Sequence, residues 1–131
     1  MSTSAKPWWR RWFGTRAERA AESFLRKLGY RILVRNFTCQ FGELDLIVLD
    51  KSTIVFVEVR STEECDGERP AASVDDAKQR RLSRLALYFL KQKKLLDHAA
   101  RFDVLTVSWP EGSKVPTIEH FKNAFEAVGG P

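Results

Sequence analysis

Cysteine is scarce in this 131-residue chain: Cys39 and Cys65 are the only two, outside any CxxC spacing and with no histidine nearby in sequence. That excludes a disulfide framework and a zinc site of ordinary spacing. His98 and His120 stand alone, so each is expected as a surface or packing residue rather than a ligand. No stretch approaches the roughly 20 apolar residues needed to span a bilayer. Near the N-terminus Trp8, Trp9, Trp12 and Phe13 are interrupted by Arg10 and Arg11. A secretory signal needs an unbroken apolar core, so the protein is expected in the cytoplasm. Internal repeats and low-complexity segments are also missing. Acids are absent from two long stretches, residues 1–16 and residues 78–94.

What remains is cationic. The formal charge is +5. Lys6, Arg10, Arg11 and Arg16 occupy the first acid-free stretch, and Lys78, Arg80, Arg81, Arg84, Lys91, Lys93 and Lys94 the second. Clusters of this kind point to a polyanionic partner, nucleic acid before membrane, or else to a solubilised helix face. With 44% hydrophobic and 30% charged residues, the chain suits one globular domain with a single core. Residues 1–15 read as a basic, aromatic arm and residues 16–131 as the domain. The arm's roles stay open: stacking on bases, lying at a membrane surface, or capping the core.

Thr15 to Leu28 has helical periodicity, with Thr15 as cap, Gly29 as stop, and Ala17, Ala20, Ala21, Phe24, Leu25 and Leu28 as the buried stripe. Glu18 falls at the edge of that stripe, either reaching toward a site or serving as a first-turn carboxylate. Tyr30 to Phe37 reads as a strand, and a polar loop runs from Ser61 to Ala72. A second helix begins at Ser73 in a capping-box pattern with Asp76, burying Leu82, Leu85, Ala86, Phe89 and Leu90. Lys78 lies one turn before Leu82 in line with the stripe, pointing its ammonium toward the sheet or snorkelling past the core edge. Arg101 to Trp109 is another strand, followed by a short apolar element around Ile118–Phe121. The order α-β-β-β-α-β predicts a mixed α/β fold.

The stretch that concentrates chemistry is Gly42 to Arg60, two apolar strands around the turn Asp50-Lys51-Ser52-Thr53. Alternation puts Glu43, Asp45, Ile47 and Leu49 on one face and Leu44, Leu46 and Val48 on the other. If Lys51 and Ser52 form a two-residue loop, the register sets Asp45 directly opposite Glu58, with Cβ atoms roughly 4.5–5.5 Å apart. Two carboxylates at that spacing among apolar residues require a proton, a cation or a metal ion. Arg60, two residues beyond Glu58, supplies a fixed positive charge on the same face.

Together these residues resemble the YraN family of uncharacterised bacterial proteins. The likeness runs from about Gly14 to Phe125. It rests on Ala17-Glu18 and Ala21, Gly29-Tyr30, Arg35-Asn36, Gly42-Glu43-Leu44-Asp45-Leu46-Ile47, Phe56-Val57-Glu58-Val59-Arg60, Lys78-Gln79, Arg101-Phe102-Asp103-Val104 and Asn123-Ala124-Phe125. That family looks like a compact member of the PD-(D/E)XK superfamily, similar in plan to archaeal Holliday-junction resolvases. The resemblance implies a restriction-endonuclease-like three-layer fold, a central mixed β-sheet flanked by helices. It also implies a Mg²⁺ or Mn²⁺ site held by Asp45 and Glu58, with Glu18 as the helix-borne acid and Arg60 where a lysine is usual. A guanidinium stays protonated, so Arg60 can clamp a phosphate but cannot act as general base. Lys78 and Gln79 would sit on the helix after the site, and with Arg60, Arg80, Arg81 and Arg84 would contact nucleic acid.

The expected activity is metal-dependent hydrolysis of phosphodiester bonds in nucleic acid, DNA before RNA, with branched or structured DNA included. The alternative is a module on the same scaffold that binds nucleic acid without cutting it. A third reading makes Asp45, Glu58 and Arg60 a structural ion network. Junction-cutting relatives commonly act as dimers, which leaves a homodimer open.

Overall fold

The computed structural model describes residues 16–61 and 74–128. The expected arm at residues 1–15, the helix cap at Thr15, most of the Ser61–Ala72 loop, Cys65 and the cap at Ser73 lie outside them. The described elements are α1 (Arg16–Lys27), β1 (Arg31–Cys39), β2 (Gly42–Asp50), β3 (Thr53–Ser61), α2 (Asp76–Gln92), β4 (Ala100–Ser108) and β5 (Thr117–Phe125). The five strands form one sheet in the order β1-β2-β3-β4-β5. Only β3 and β4 run parallel, joined across α2, and the other three pairings are antiparallel. The fold is α/β, as the element order predicts. The element after β4 is a full strand rather than a short apolar stub.

Two apolar clusters place the helices on opposite faces of this sheet. Ala21 and Leu25 of α1 pack with Leu46, Val48, Val55, Val57, Leu105 and Val107. Leu82, Leu85, Ala86 and Phe89 of α2 pack with Ile47, Ile54, Phe56, Phe102 and Val104. The layers are therefore helix, sheet, helix, with the sheet interior buried on both sides. Such burial is worth roughly 1.5–3 kcal/mol for each large apolar side chain, which is why these strands read as near-continuous apolar runs.

Helix ends follow local chemistry. At the end of α1, Gly29 takes φ 94°, Tyr30 N–H donates to the Leu25 carbonyl at 3.0 Å, and Gly29 N–H to that of Arg26 at 2.9 Å. This crossed pair of bonds closes the helix with a glycine that alone avoids a Cβ penalty there. Leu28 stands past the last turn, where the chain reverses, and is 52% exposed rather than part of the buried stripe. The second helix starts later than expected. Asp75 caps it by accepting the Lys78 amide at 2.8 Å, an anionic side chain at the positive helix end. Gln79 Nε2 donates to the Val74 carbonyl at 2.7 Å and closes the same turn.

Strand alternation breaks where acids enter the sheet. β2 and β3 keep the expected register from Asp50↔Thr53 to Leu46↔Val57, with Lys51 at φ 57° in the tight link. The ladder ends there, one step short of Asp45 and Glu58. Leu46 and Val48 belong to the α1-side cluster, but Leu44 belongs to the α2-side one. Strict alternation would put all three together, so the strand turns over at Asp45. The same happens beside it on β1, between Val34 and Phe37, both on the α2 side, with Asn36 at φ 52°. A further slip separates Ile32 from Val34.

Candidate active-site cleft

Asp45 owes its position to this broken ladder. An unbroken ladder would turn the Val59 amide toward the β2 backbone. Instead it donates to Asp45 Oδ2 at 2.8 Å. The carboxylate thus replaces a backbone acceptor and sits one peptide from Glu58. Direct opposition of the two acids is not what the chain builds, because like charges in apolar surroundings repel and each finds its own donor. Asp45 takes the Val59 amide. Glu58, whose side chain is only 12% exposed, takes the ammonium of Lys78 from α2. Lys78 therefore turns toward the sheet carboxylates, the first of its two readings.

On the α1 side, Asp45 and Leu46 lie with Glu18, Glu22, Arg26, Arg35 and Asn36 along a cleft of about 610 Å³. Glu18 is buried at 9% exposure in the first turn of α1. The structure thus brings Glu18 and Asp45 into one cleft, and Glu58 with Lys78 to the strand position beside it. Arg60 is half-buried and follows Glu58 along β3. Arg80, Arg81 and Arg84 are exposed on α2. The stem of Arg81 lies over Gly42, whose added Cβ would stand 3.2 Å from Arg81 Nε.

Farther out, Glu22 links α1 to β1. Its carboxylate accepts Arg35 Nε and Nη2 at 2.7 Å each and Arg26 Nε at 3.0 Å. The Arg35 hydrogen bond, against some burial, holds Glu22 below the usual carboxylate range and raises Arg35.

Sequence reasoning missed a second acidic centre. Asp103, with a fully buried side chain, accepts Arg101 Nε at 2.9 Å and Nη2 at 3.2 Å, His120 Nε2 at 2.7 Å and the Asn123 amide at 2.9 Å. Arg101 also donates to Asp50 at 3.1 Å and to the Tyr30 hydroxyl at 3.0 Å. Burial alone would raise the Asp103 carboxyl, but the bonds from His120, Arg101 and Asn123 outweigh it and hold it low. Burial would lower Arg101, and its bonds to Asp103 and Asp50 raise it instead. Here the sheet repeats the Asp45 device: the β4–β5 register slips between Phe102 and Val104, and Asn123 takes φ 53°. The signal available in sequence was Asp103 inside an apolar run with Arg101 two residues before it, on the same strand face. His120 packs with Phe24 and Tyr30 edge-on to its ring, and its bond to Asp103 goes beyond the packing role expected of it.

Among the described residues, no group of three or more His, Cys, Asp and Glu side chains gathers as a metal cluster. Mg²⁺ does not demand one, since it keeps several waters and binds through one or two carboxylates plus phosphate oxygens. Asp45 and Glu58 carry hard oxygen donors of the type such an ion takes. No helix among the described residues is long and apolar enough to cross a membrane.

Comparison with known proteins follows the same residues. The model of Uncharacterised protein family UPF0102 matches residues 17–107. A UPF0102 protein of Rhodopirellula baltica is 44% identical over 119 residues, covering 88% of this chain and 71% of that protein. One from Geotalea daltonii is 45% identical over 113 residues, covering 86% of this chain and 88% of the relative. Among solved structures, Pyrococcus furiosus SfsA in complex with Ca²⁺ is 17% identical with a TM-score of 0.37. That match covers 79% of this chain and 58% of the other.

Proposed function

This chain belongs to the uncharacterised protein family UPF0102, and we propose that it is a Mg²⁺- or Mn²⁺-dependent nuclease hydrolysing phosphodiester bonds of DNA, branched or otherwise structured DNA included. The supporting observation is where the acids stand: β2 and β3 part at Asp45, which shares a cleft with buried Glu18 and accepts the backbone amide that follows Glu58, the partner of Lys78.

In this reading Asp45 and Glu58 hold the metal, which when bound supplies an acidified water and positive charge against the phosphate. The Val59 amide keeps the Asp45 carboxylate aimed. Glu18 orients the water from α1. Lys78 neutralises Glu58; with Glu58 engaged by a metal, the Lys78 ammonium would be available to the phosphate. Arg60 clamps the phosphate through paired hydrogen bonds, with Gln79, Arg80, Arg81 and Arg84 along the helix that follows. The permanent charge of Arg60 favours one competing reading, a binding module without cleavage, because no lysine stands there to exchange a proton.

Cleavage of duplex, single-stranded and four-way-junction DNA with Mg²⁺ or Mn²⁺, by wild type and Asp45→Asn, separates the readings. Metal-dependent cutting by wild type alone supports the nuclease. Cutting that survives the substitution, or salt-sensitive binding with no cutting in any metal, removes it.

A further inference from the structure

The cleft that leads to Asp45 is spanned by an ion pair whose geometry suggests what it is waiting for. We infer that Arg35 and Arg26 form a phosphate subsite of this cleft, and that the Glu22 carboxylate occupies it as a stand-in until a nucleic-acid strand displaces it. The inference rests on the nucleic-acid reading above and adds a second stretch of the strand's path, along α1 and β1 beside the contacts on α2.

Three observations carry it. First, the contact is of the kind that recognises phosphate: a guanidinium presents two parallel N–H groups to two oxygens, here Nε and Nη2 of Arg35 to Oε1 and Oε2 at 2.7 Å each. Carboxylate and phosphate accept this fork alike. Second, one acid holds two arginines, Arg26 sharing the same Oε2 at 3.0 Å, so the triad keeps a net positive charge. The guanidinium-bearing side chains are 54% and 53% exposed, whereas Glu22 is 20% exposed. Outer faces of both arginines therefore meet solvent while the acid between them is covered. Third, the bridge crosses from helix to edge strand along the cleft that Glu18 and Asp45 also line. A phosphate seated there lies on the way to those acids. A solvated ion pair of this kind contributes little to folding, so exchanging it for a phosphate is not opposed by stability.

Anisotropy titrations of a fluorescent oligothymidylate in EDTA, over a series of salt concentrations, test the subsite without any cleavage. Arg35→Ala and Arg26→Ala should weaken binding by roughly tenfold and each lower the salt slope by about one. Arg35→Lys should recover only part of the loss, because charge returns without the fork. Glu22→Gln should tighten binding several-fold by removing the competing negative charge. Unchanged affinity and slope in Arg35→Ala and Glu22→Gln, with loss confined to Arg80→Ala and Arg84→Ala, would place the strand on α2 and overturn the inference. Failure of wild type to bind would overturn it too. Intact binding at Arg35 combined with no metal-dependent cutting would instead sink the nuclease and leave the subsite standing.

Discussion

Replacing Asp103 by Asn removes one charge while keeping the size of the side chain, so no cavity forms and the loss reads the network alone. Asp103 receives two bonds from Arg101, one from His120 and one from the Asn123 amide. A hydrogen bond to a charged group contributes about 1.5–3 kcal/mol net, and breaking a buried pair costs about 3–5 kcal/mol. Arg101 keeps Asp50 and Tyr30 and is 18% exposed, which moves the cost to the lower end. The expected loss is about 3 kcal/mol, or roughly 10 °C in Tm for a domain of this size. Urea unfolding followed by tryptophan fluorescence measures it. Asp97→Asn is the control, an 86% exposed acid beside His98 whose loss should stay within about 0.5 kcal/mol. A loss below about 1 kcal/mol in Asp103→Asn would refute the claim that this network braces the β4–β5 edge.

The same carboxylate sets an acid limb. Because Asp103 is held below its ordinary value, the unfolded chain takes up the proton first as pH falls. Its contribution is complete above about pH 4 and drains as pH drops through the folded-state value. Wild type should therefore lose more stability than Asp103→Asn below pH 4, and parallel curves would contradict this. Gly42→Ala should cost about 1–3 kcal/mol, since φ 129° strains any L side chain and the new Cβ meets Arg81. Adding Arg81→Ala should restore only a minor part, because the backbone strain stays, and full rescue would show that crowding was the whole cost. Lys78→Met removes the cation that occupies Glu58, so Mn²⁺ binding by calorimetry should tighten several-fold, whereas Glu58→Gln should weaken it. Equal affinities in all three proteins would exclude Glu58 as a ligand.

Family membership bears on the fold more directly than on the reaction, since a scaffold does not dictate its chemistry. The acids of the Asp45 cleft and the Asp103 network illustrate why. Both insert an aspartate into an apolar strand, both substitute its carboxylate for a backbone acceptor, and both coincide with an asparagine in the left-handed region on the adjacent strand. In Asp103 the surrounding donors are Arg101, His120 and a backbone amide inside the protein. Asp45 instead lines an open cleft, which is what separates a brace from a candidate site.

Short-range chemistry was legible from residues alone. The apolar stripe of α2, the glycine stop at Gly29, the two-residue link at Lys51–Ser52 and its register all arise from side chains a few positions apart. Periodicity and turn propensity act at that range. Tertiary structure alone decided which distant donor an acid meets. Glu22 reaches Arg35 across 13 positions, Asp45 the Val59 amide across 14, Glu58 Lys78 across 20, and Arg101 Tyr30 across 71. Repulsion between Asp45 and Glu58 was foreseeable, but not its resolution by a strand that turns over at Asp45. A charged group in a low-dielectric interior takes whichever partner the packed layers bring within 3 Å, and that partner is set by how helix and sheet meet.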